Sequence, residues 1–203
     1  MTATLLTSLT SPFARKVRVA VLEKAIGAEV RQQLVDPWQN DTTLLSANPL
    51  LQVPALTLDD GEVITNSDTI LAWLERHYPV PPLWPTDPAA RDHAEANAAL
   101  AQGIIEYAVF TLLERRRPAD EQSPSMIQRR ESGIARTVAA LEQRYTCPTD
   151  TFLLDGIGIA CALAYLDFRH PQLAWRPQAP RLSRWLDWAN ARDAMQATRP
   201  PSA

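Results

Sequence analysis

The chain has 203 residues and a formal net charge of −3, room for one large domain or two small ones. Its apolar share of 46% suffices for an ordinary buried core. A negative chain whose tight basic clusters are Arg115-Arg116-Arg117 and Arg129-Arg130, both readable as solvated helix faces, argues against nucleic-acid binding. No uninterrupted apolar run approaches the ~20 residues that cross a bilayer. No basic region precedes the apolar residues of Met1 to Thr10, so a cytoplasmic protein without a membrane partner is expected. Cys147 and Cys161 form no Cys-x-x-Cys pair and read as free thiols of a reducing compartment. His77, His93 and His170 are too scattered for a metal site, and none is expected.

In chain order, Ala3 to Thr7 predicts a short apolar strand, and Pro12 to Ile26 a helix that Gly27 stops. Glu29 to Val35 alternates enough for a second strand. Strand, helix and strand within about thirty residues make a βαβ unit with parallel strands and a right-handed crossover. A short helix near Asp41 to Ala47 follows. Ala55 to Leu58 and Glu62 to Thr65 then predict a hairpin around Asp59-Asp60-Gly61. Ser67 to His77 predicts a helix with Ile70, Leu71 and Leu74 on one face.

The order βαβ then ββα resembles a thioredoxin-like fold over residues 1–78. Residues 79–87, dense in proline, predict a linker. Residues 88–203 read as an all-α domain. Its helices are Ala89 to Arg117, opened by Asp87-Pro88, then Ser125 to Tyr145, Leu154 to Phe168 and Pro180 to Ala191, with a frayed end at Arg199 to Ala203.

Three short stretches carry chemistry. Ser11-Pro12-Phe13 opens the first helix, where a hydroxyl can cap the helix and also donate to a bound thiolate. Such a donor near a helix N-terminus lowers a thiol pKa from its usual ~8.5. In Gln52-Val53-Pro54, proline cannot donate to a sheet ladder. A cis Pro54 would leave the N–H and C=O of Val53 to pair with an extended peptide. Asn66-Ser67-Asp68 opens the next helix. Ser67 reads as its N-cap, or as a carboxylate seat made with the first N–H groups.

Taken in order, these stretches resemble the glutathione transferases over nearly the whole chain. Arg15-Lys16-Val17-Arg18, Asn48 to Pro54, and Leu83-Trp84-Pro85-Thr86-Asp87-Pro88 add to the likeness. The chain is most similar to bacterial members with serine near the thiol, since no tyrosine lies between Met1 and Thr10. The resemblance implies a thioredoxin-like domain followed by an all-α substrate-binding domain. It implies that glutathione, as substrate or cofactor, is activated for attack on a small hydrophobic electrophile or for thiol–disulfide chemistry. Ser11 would be catalytic, stabilising the thiolate. Val53 beside Pro54 would pair with the cysteinyl backbone, Ser67 with Asn66 would hold the γ-glutamyl carboxylate, and Gln52 would lie near the glycyl or cysteinyl end. Phe13, Tyr107 and Thr111 are candidate walls of a second-substrate pocket, while Ile104 and Phe110 read rather as bundle packing, and Trp185 and Trp188 as packing of the last long helix. A homodimer is implied. A glutathione-dependent dehalogenase or isomerase, and a non-catalytic glutathione-binding scaffold, are the alternatives.

Three departures stand out. Leu51-Gln52 replaces a glycine-lysine pair common in the family, removing a cation from the glycyl carboxylate. Asn66 stands where an acidic residue is usual. The Ser/Thr-x-x-Asp capping box of the core helix is replaced by Leu153-Leu154-Asp155-Gly156, leaving Thr151 or Asp150 to cap.

Overall fold

The computed structural model describes residues 2–201; Met1 at the start and Ser202 and Ala203 of the expected frayed end lie outside the described residues. The chain divides into two compact units. One runs through Trp84 and takes in the segment from Arg192 onward; the other is Pro85–Ala191.

The first unit is built on a four-stranded sheet of order β2-β1-β3-β4, with β1 Ala3–Thr7, β2 Val30–Leu34, β3 Ala55–Leu58 and β4 Val63–Thr65. β1 runs parallel to β2 and antiparallel to β3, which pairs antiparallel with β4. This mixed sheet with its helices α1 Pro12–Glu23, α2 Thr42–Ala47 and α3 Ser67–His77 is the thioredoxin-like arrangement. Leu5, Val17, Ala20, Leu56, Ile70 and Leu74 are fully buried, each aliphatic side chain of leucine size worth roughly 1.5–3 kcal/mol.

α1 stops short of Gly27. Ile26 N–H donates to Val21 O and Ala25 N–H to Leu22 O, closing a Schellman turn with Ala25 at φ 55°. The buried Ile26 anchors this turn. Lys24, buried at the same end, pairs with Glu75 at 2.6 Å and donates to the carbonyls of Tyr78 and Pro81. A short helix unforeseen in the sequence, Asp193–Ala197, packs on α1. Arg15 donates to Met195 O and Thr198 Oγ1, and Arg192 pairs with Glu23 at 2.6 Å.

The second unit contains α4 Pro88–Arg115, α5 Pro124–Arg144, α6 Leu154–Arg169 and α7 Pro180–Asn190; the short helix Asp193–Ala197 of the first unit is α8 in chain order. Among the described residues α4 is the one helix long and apolar enough to cross a membrane by length and composition, although polar residues such as Glu106 interrupt its apolar stretch. It packs on α5 and α6, burying Ala94, Ala101, Ile104, Ile105 and Ala108. α6 is the central helix, buried from Asp155 to Leu163. Neither Thr151 nor Asp150 caps it: its N-cap is Leu153, with no side-chain capping bond. Asp155 Oδ1 instead accepts from the Gly156 N–H and Oδ2 from Asn97 Nδ2. Trp185 packs against Tyr145, Phe152 and Trp188 and donates its indole N–H to Pro148 O.

Candidate functional site

The sheet register gathers the three stretches. Ala55, the first residue of β3, lies between Leu6 near the end of β1 and Thr65 at the end of β4. The chain leaving β1 toward Ser11, the chain entering β3 through Val53-Pro54, and the chain leaving β4 into Asn66-Ser67 therefore lie at one end of the sheet. β2 ends there as well, since Leu34 pairs with Thr7. The exposed Trp38 follows it, a residue the motif reading passed over.

Ser11 is the N-cap of α1. Its Oγ accepts from the Ala14 N–H at 3.2 Å, which uses one lone pair and leaves the hydroxyl proton to donate. Phe13 is half-buried in the first turn.

The Val53–Pro54 peptide is cis. The Val53 side chain packs against the cluster of Leu6, Val35, Leu44 and Ala55, while its backbone N–H and C=O make no hydrogen bond among the described residues. The loop before it is held by Asn48, which is buried. Its Nδ2 donates to Gln52 O at 2.8 Å and its Oδ1 accepts from the Leu50 N–H at 3.1 Å. The Asn48-Pro49 turn was the signal for this stapled loop. The Gln52 side chain is exposed.

At α3 the structure corrects the capping assignment. The N-cap is Asn66, not Ser67: Asn66, at φ 72°, accepts the Asp68 N–H at 2.8 Å on its Oδ1. Ser67 is the first helical residue, only 2% exposed, and its Oγ has no hydrogen-bond partner among the described residues. A buried hydroxyl left unpaired is costly. Here it stands at the N-terminus, the positive dipole end, of an eleven-residue helix. The combination suits a carboxylate. Asp68, next in sequence, pairs with Lys16 of α1 at 2.6 Å.

In the second unit, Tyr107 and Phe110 of α4 are 39% and 50% exposed, so Phe110 is not the packing residue its spacing predicts. Ile104 is buried as expected, and so is Thr111, whose Oγ1 has no partner among the described residues. The Tyr107 ring lies against Gly133 of α5, where a Cβ would collide with ring carbon Cε2; glycine there makes room for the ring. Among the described residues no group of His, Cys, Asp and Glu could hold a metal ion.

Comparison with known proteins bears on the whole chain. The glutathione S-transferase N-terminal domain family matches residues 10–77, and the C-terminal domain family matches residues 124–187. The uncharacterized GST-like protein YibF of Escherichia coli (strain K12) is 34% identical over 199 residues, 97% of this chain and 98% of that one. The structure is similar to that of a glutathione transferase family member from Pseudomonas fluorescens Pf-5 with bound glutathione, at a TM-score of 0.93 and 36% identity, covering 98% of this chain and 100% of that chain. A shorter stretch of 103 residues, 49% of this chain and 47% of that one, is 43% identical to maleylacetoacetate isomerase of Pseudomonas aeruginosa.

Proposed function

The chain belongs to the glutathione S-transferase family, and from that membership we propose that it binds glutathione at the end of the first unit's sheet and activates the thiol for attack on a small hydrophobic electrophile or for thiol–disulfide chemistry. One observation carries the reading: the buried, unpartnered Ser67 hydroxyl at the N-terminus of α3. When bound, glutathione supplies the nucleophilic sulfur. The chain's own residues do the rest. Ser67 Oγ and the first N–H groups of α3 hold the γ-glutamyl carboxylate, with Asn66 setting the helix start. Val53, beside cis Pro54, offers one N–H and one C=O to the cysteinyl backbone. Gln52 flanks the glycyl or cysteinyl end as a neutral donor. Ser11 donates its hydroxyl proton to the thiolate while its oxygen still caps α1. The exposed Tyr107 of the second unit is proposed to contact the electrophile, a role the fully buried Thr111 does not share, in a homodimeric cytoplasmic enzyme.

The size of the Ser11 effect can be bounded. Lowering a thiol pKa by about two units needs roughly 2.7 kcal/mol of preference for the thiolate. One hydrogen bond to charge plus a helix-end dipole falls in that range. Two measurements test the reading. Calorimetry at millimolar glutathione, near neutral pH, gives saturable binding. In Ser11→Ala, glutathione still binds, the thiolate absorbance of the complex titrates nearer the free-thiol value, and turnover at pH 7 falls by about ten-fold or more. An unchanged thiol pKa with unchanged turnover assigns Ser11 to capping alone; a wild type that binds glutathione without lowering its thiol pKa or turning it over favours the scaffold reading. No binding at all overturns the proposal.

The stretch similar to maleylacetoacetate isomerase favours a second reading, an isomerase that uses glutathione as cofactor. The two separate by stoichiometry: a transferase consumes one glutathione per turnover, an isomerase recovers it.

A further inference from the structure

We propose that Lys16 is a positioning residue for the carboxylate seat: by neutralising Asp68 at the start of α3, it keeps that helix end attractive to a ligand's carboxylate. The proposal rests on the reading of Ser67 given above and names what tunes that seat.

Asp68 occupies the second position of α3. An acidic side chain there suits the helix's own dipole. It also places a full negative charge one residue from the hydroxyl and N–H groups proposed to receive an anionic ligand. Like charges at that spacing oppose each other. The structure supplies the remedy from another element. Lys16 reaches Asp68 at 2.6 Å with its side chain only 4% exposed, while the Asp68 side chain is 55% exposed. A buried ammonium is a weakly screened charge, so its field at the α3 N-terminus is stronger than that of a surface lysine. The neighbouring basic residues of α1 have partners of their own: Arg15 donates to Met195 O, and Arg18 Nε donates to Gln32 Oε1. The pair also joins the two helices whose N-termini carry Ser11 and Ser67. A bare tether and a charge balance therefore make different predictions.

If the pair is only a tether, cutting it from either side loosens α3 and weakens glutathione equally. If it is a charge balance, the two cuts act with opposite sign. Lys16→Gln leaves Asp68 unopposed and raises the glutathione Kd about ten-fold. Asp68→Asn keeps an oxygen for Lys16 and removes the repulsion, so Kd falls about three-fold. The double variant returns to within about two-fold of the wild type. The charge effect shrinks as salt is raised from low to molar concentration. Cysteinylglycine, which lacks the γ-glutamyl carboxylate, is the control: its affinity does not respond to Lys16→Gln. Calorimetry with glutathione and with cysteinylglycine on the four proteins reads all of this, with circular dichroism confirming that each is folded. Should Lys16→Gln fail to fold, Asp68→Asn alone decides by the sign of its effect. Weakening of glutathione by Asp68→Asn to the same degree as by Lys16→Gln overturns the proposal while leaving the site reading intact. Absence of glutathione binding by the wild type overturns both.

Discussion

The starts of α3 and α6 solve the same physical problem in opposite ways. Each is the N-terminal end of a helix, with a buried polar side chain in its first turn and N–H groups that need partners. At α3, Asn66 does the capping from outside the helix. The next residue, Ser67, is thereby left with a buried hydroxyl and nothing within the described residues to bond. At α6 no side chain caps from the N-cap position. Asp155, inside the first turn, takes up the slack, accepting from the Gly156 N–H at 2.9 Å and from Asn97 at 3.2 Å. Burial pushes the Asp155 carboxyl up from its ordinary pKa, and those hydrogen bonds offset only part of the rise. One end holds polar capacity in reserve; the other has it committed internally. Unpartnered hydroxyls occur elsewhere, at Thr7 and Thr111. Neither of those stands at a helix N-terminus, and it is the dipole beside Ser67 that makes its reserve useful to an anion.

The largest effect expected from breaking this contrast lies at α6. Asp155→Ala strands the Gly156 N–H and the Asn97 amide in a buried setting, at a cost of about 3 kcal/mol. Urea unfolding measures the loss, and glutathione affinity of the folded fraction stays unchanged. Asp155→Asn keeps an acceptor and costs less. The mirror experiment is Ser67→Ala. No hydrogen bond within the described residues is lost and a costly unpaired hydroxyl is removed, so the melting temperature of the unliganded protein holds or rises. Glutathione affinity falls about ten-fold or more, the loss of one hydrogen bond to a charged group at roughly 1.5–3 kcal/mol. A fall in the stability of unliganded Ser67→Ala with no change in affinity would make Ser67 an ordinary structural hydroxyl and erase the contrast.

The sequence made α3 legible and left open which residue caps it. The Ile70, Leu71 and Leu74 spacing set the helix at Ser67 to His77, the bounds observed. Asn66-Ser67-Asp68, however, offers three residue types that cap helices, and only the backbone at φ 72° decides that Asn66 does so. Gly27 was a reasonable stop for α1, yet burial of Ile26 fixed the Schellman turn earlier and placed Ala25 in the left-handed region. α8 is five residues long, too short for periodicity to register, and is held by contacts to Arg15 and Glu23 from the far end of the chain. The Lys16–Asp68 pair spans 52 positions, so no local pattern announces it. Apart from α8, the order of the strands and longer helices was readable, because apolar spacing and proline density act locally. The gathering of Ser11, Val53 and Ser67 at one sheet end follows from β1–β3–β4 register, which local patterns leave open.

The smallest effect sharpens the division of labour at α3. Asn66 caps and Ser67 waits, so the two neighbours should fail differently. Asn66→Ala removes the 2.8 Å bond to the Asp68 N–H and puts alanine at a positive φ that asparagine tolerates better. The cap alone is worth about 1 kcal/mol, or roughly 2–4 °C of melting temperature in a chain of this size. Asn66→Gly loses the same side chain but fits the backbone, so its cost is only a few tenths of a kcal/mol. If Asn66 serves glutathione through the helix start it sets, Asn66→Gly holds affinity within about three-fold of the wild type, the cap's modest worth leaving the helix start in place. A large loss of affinity in Asn66→Gly with an unmoved melting temperature would transfer the ligand role from Ser67's neighbourhood to the Asn66 side chain itself.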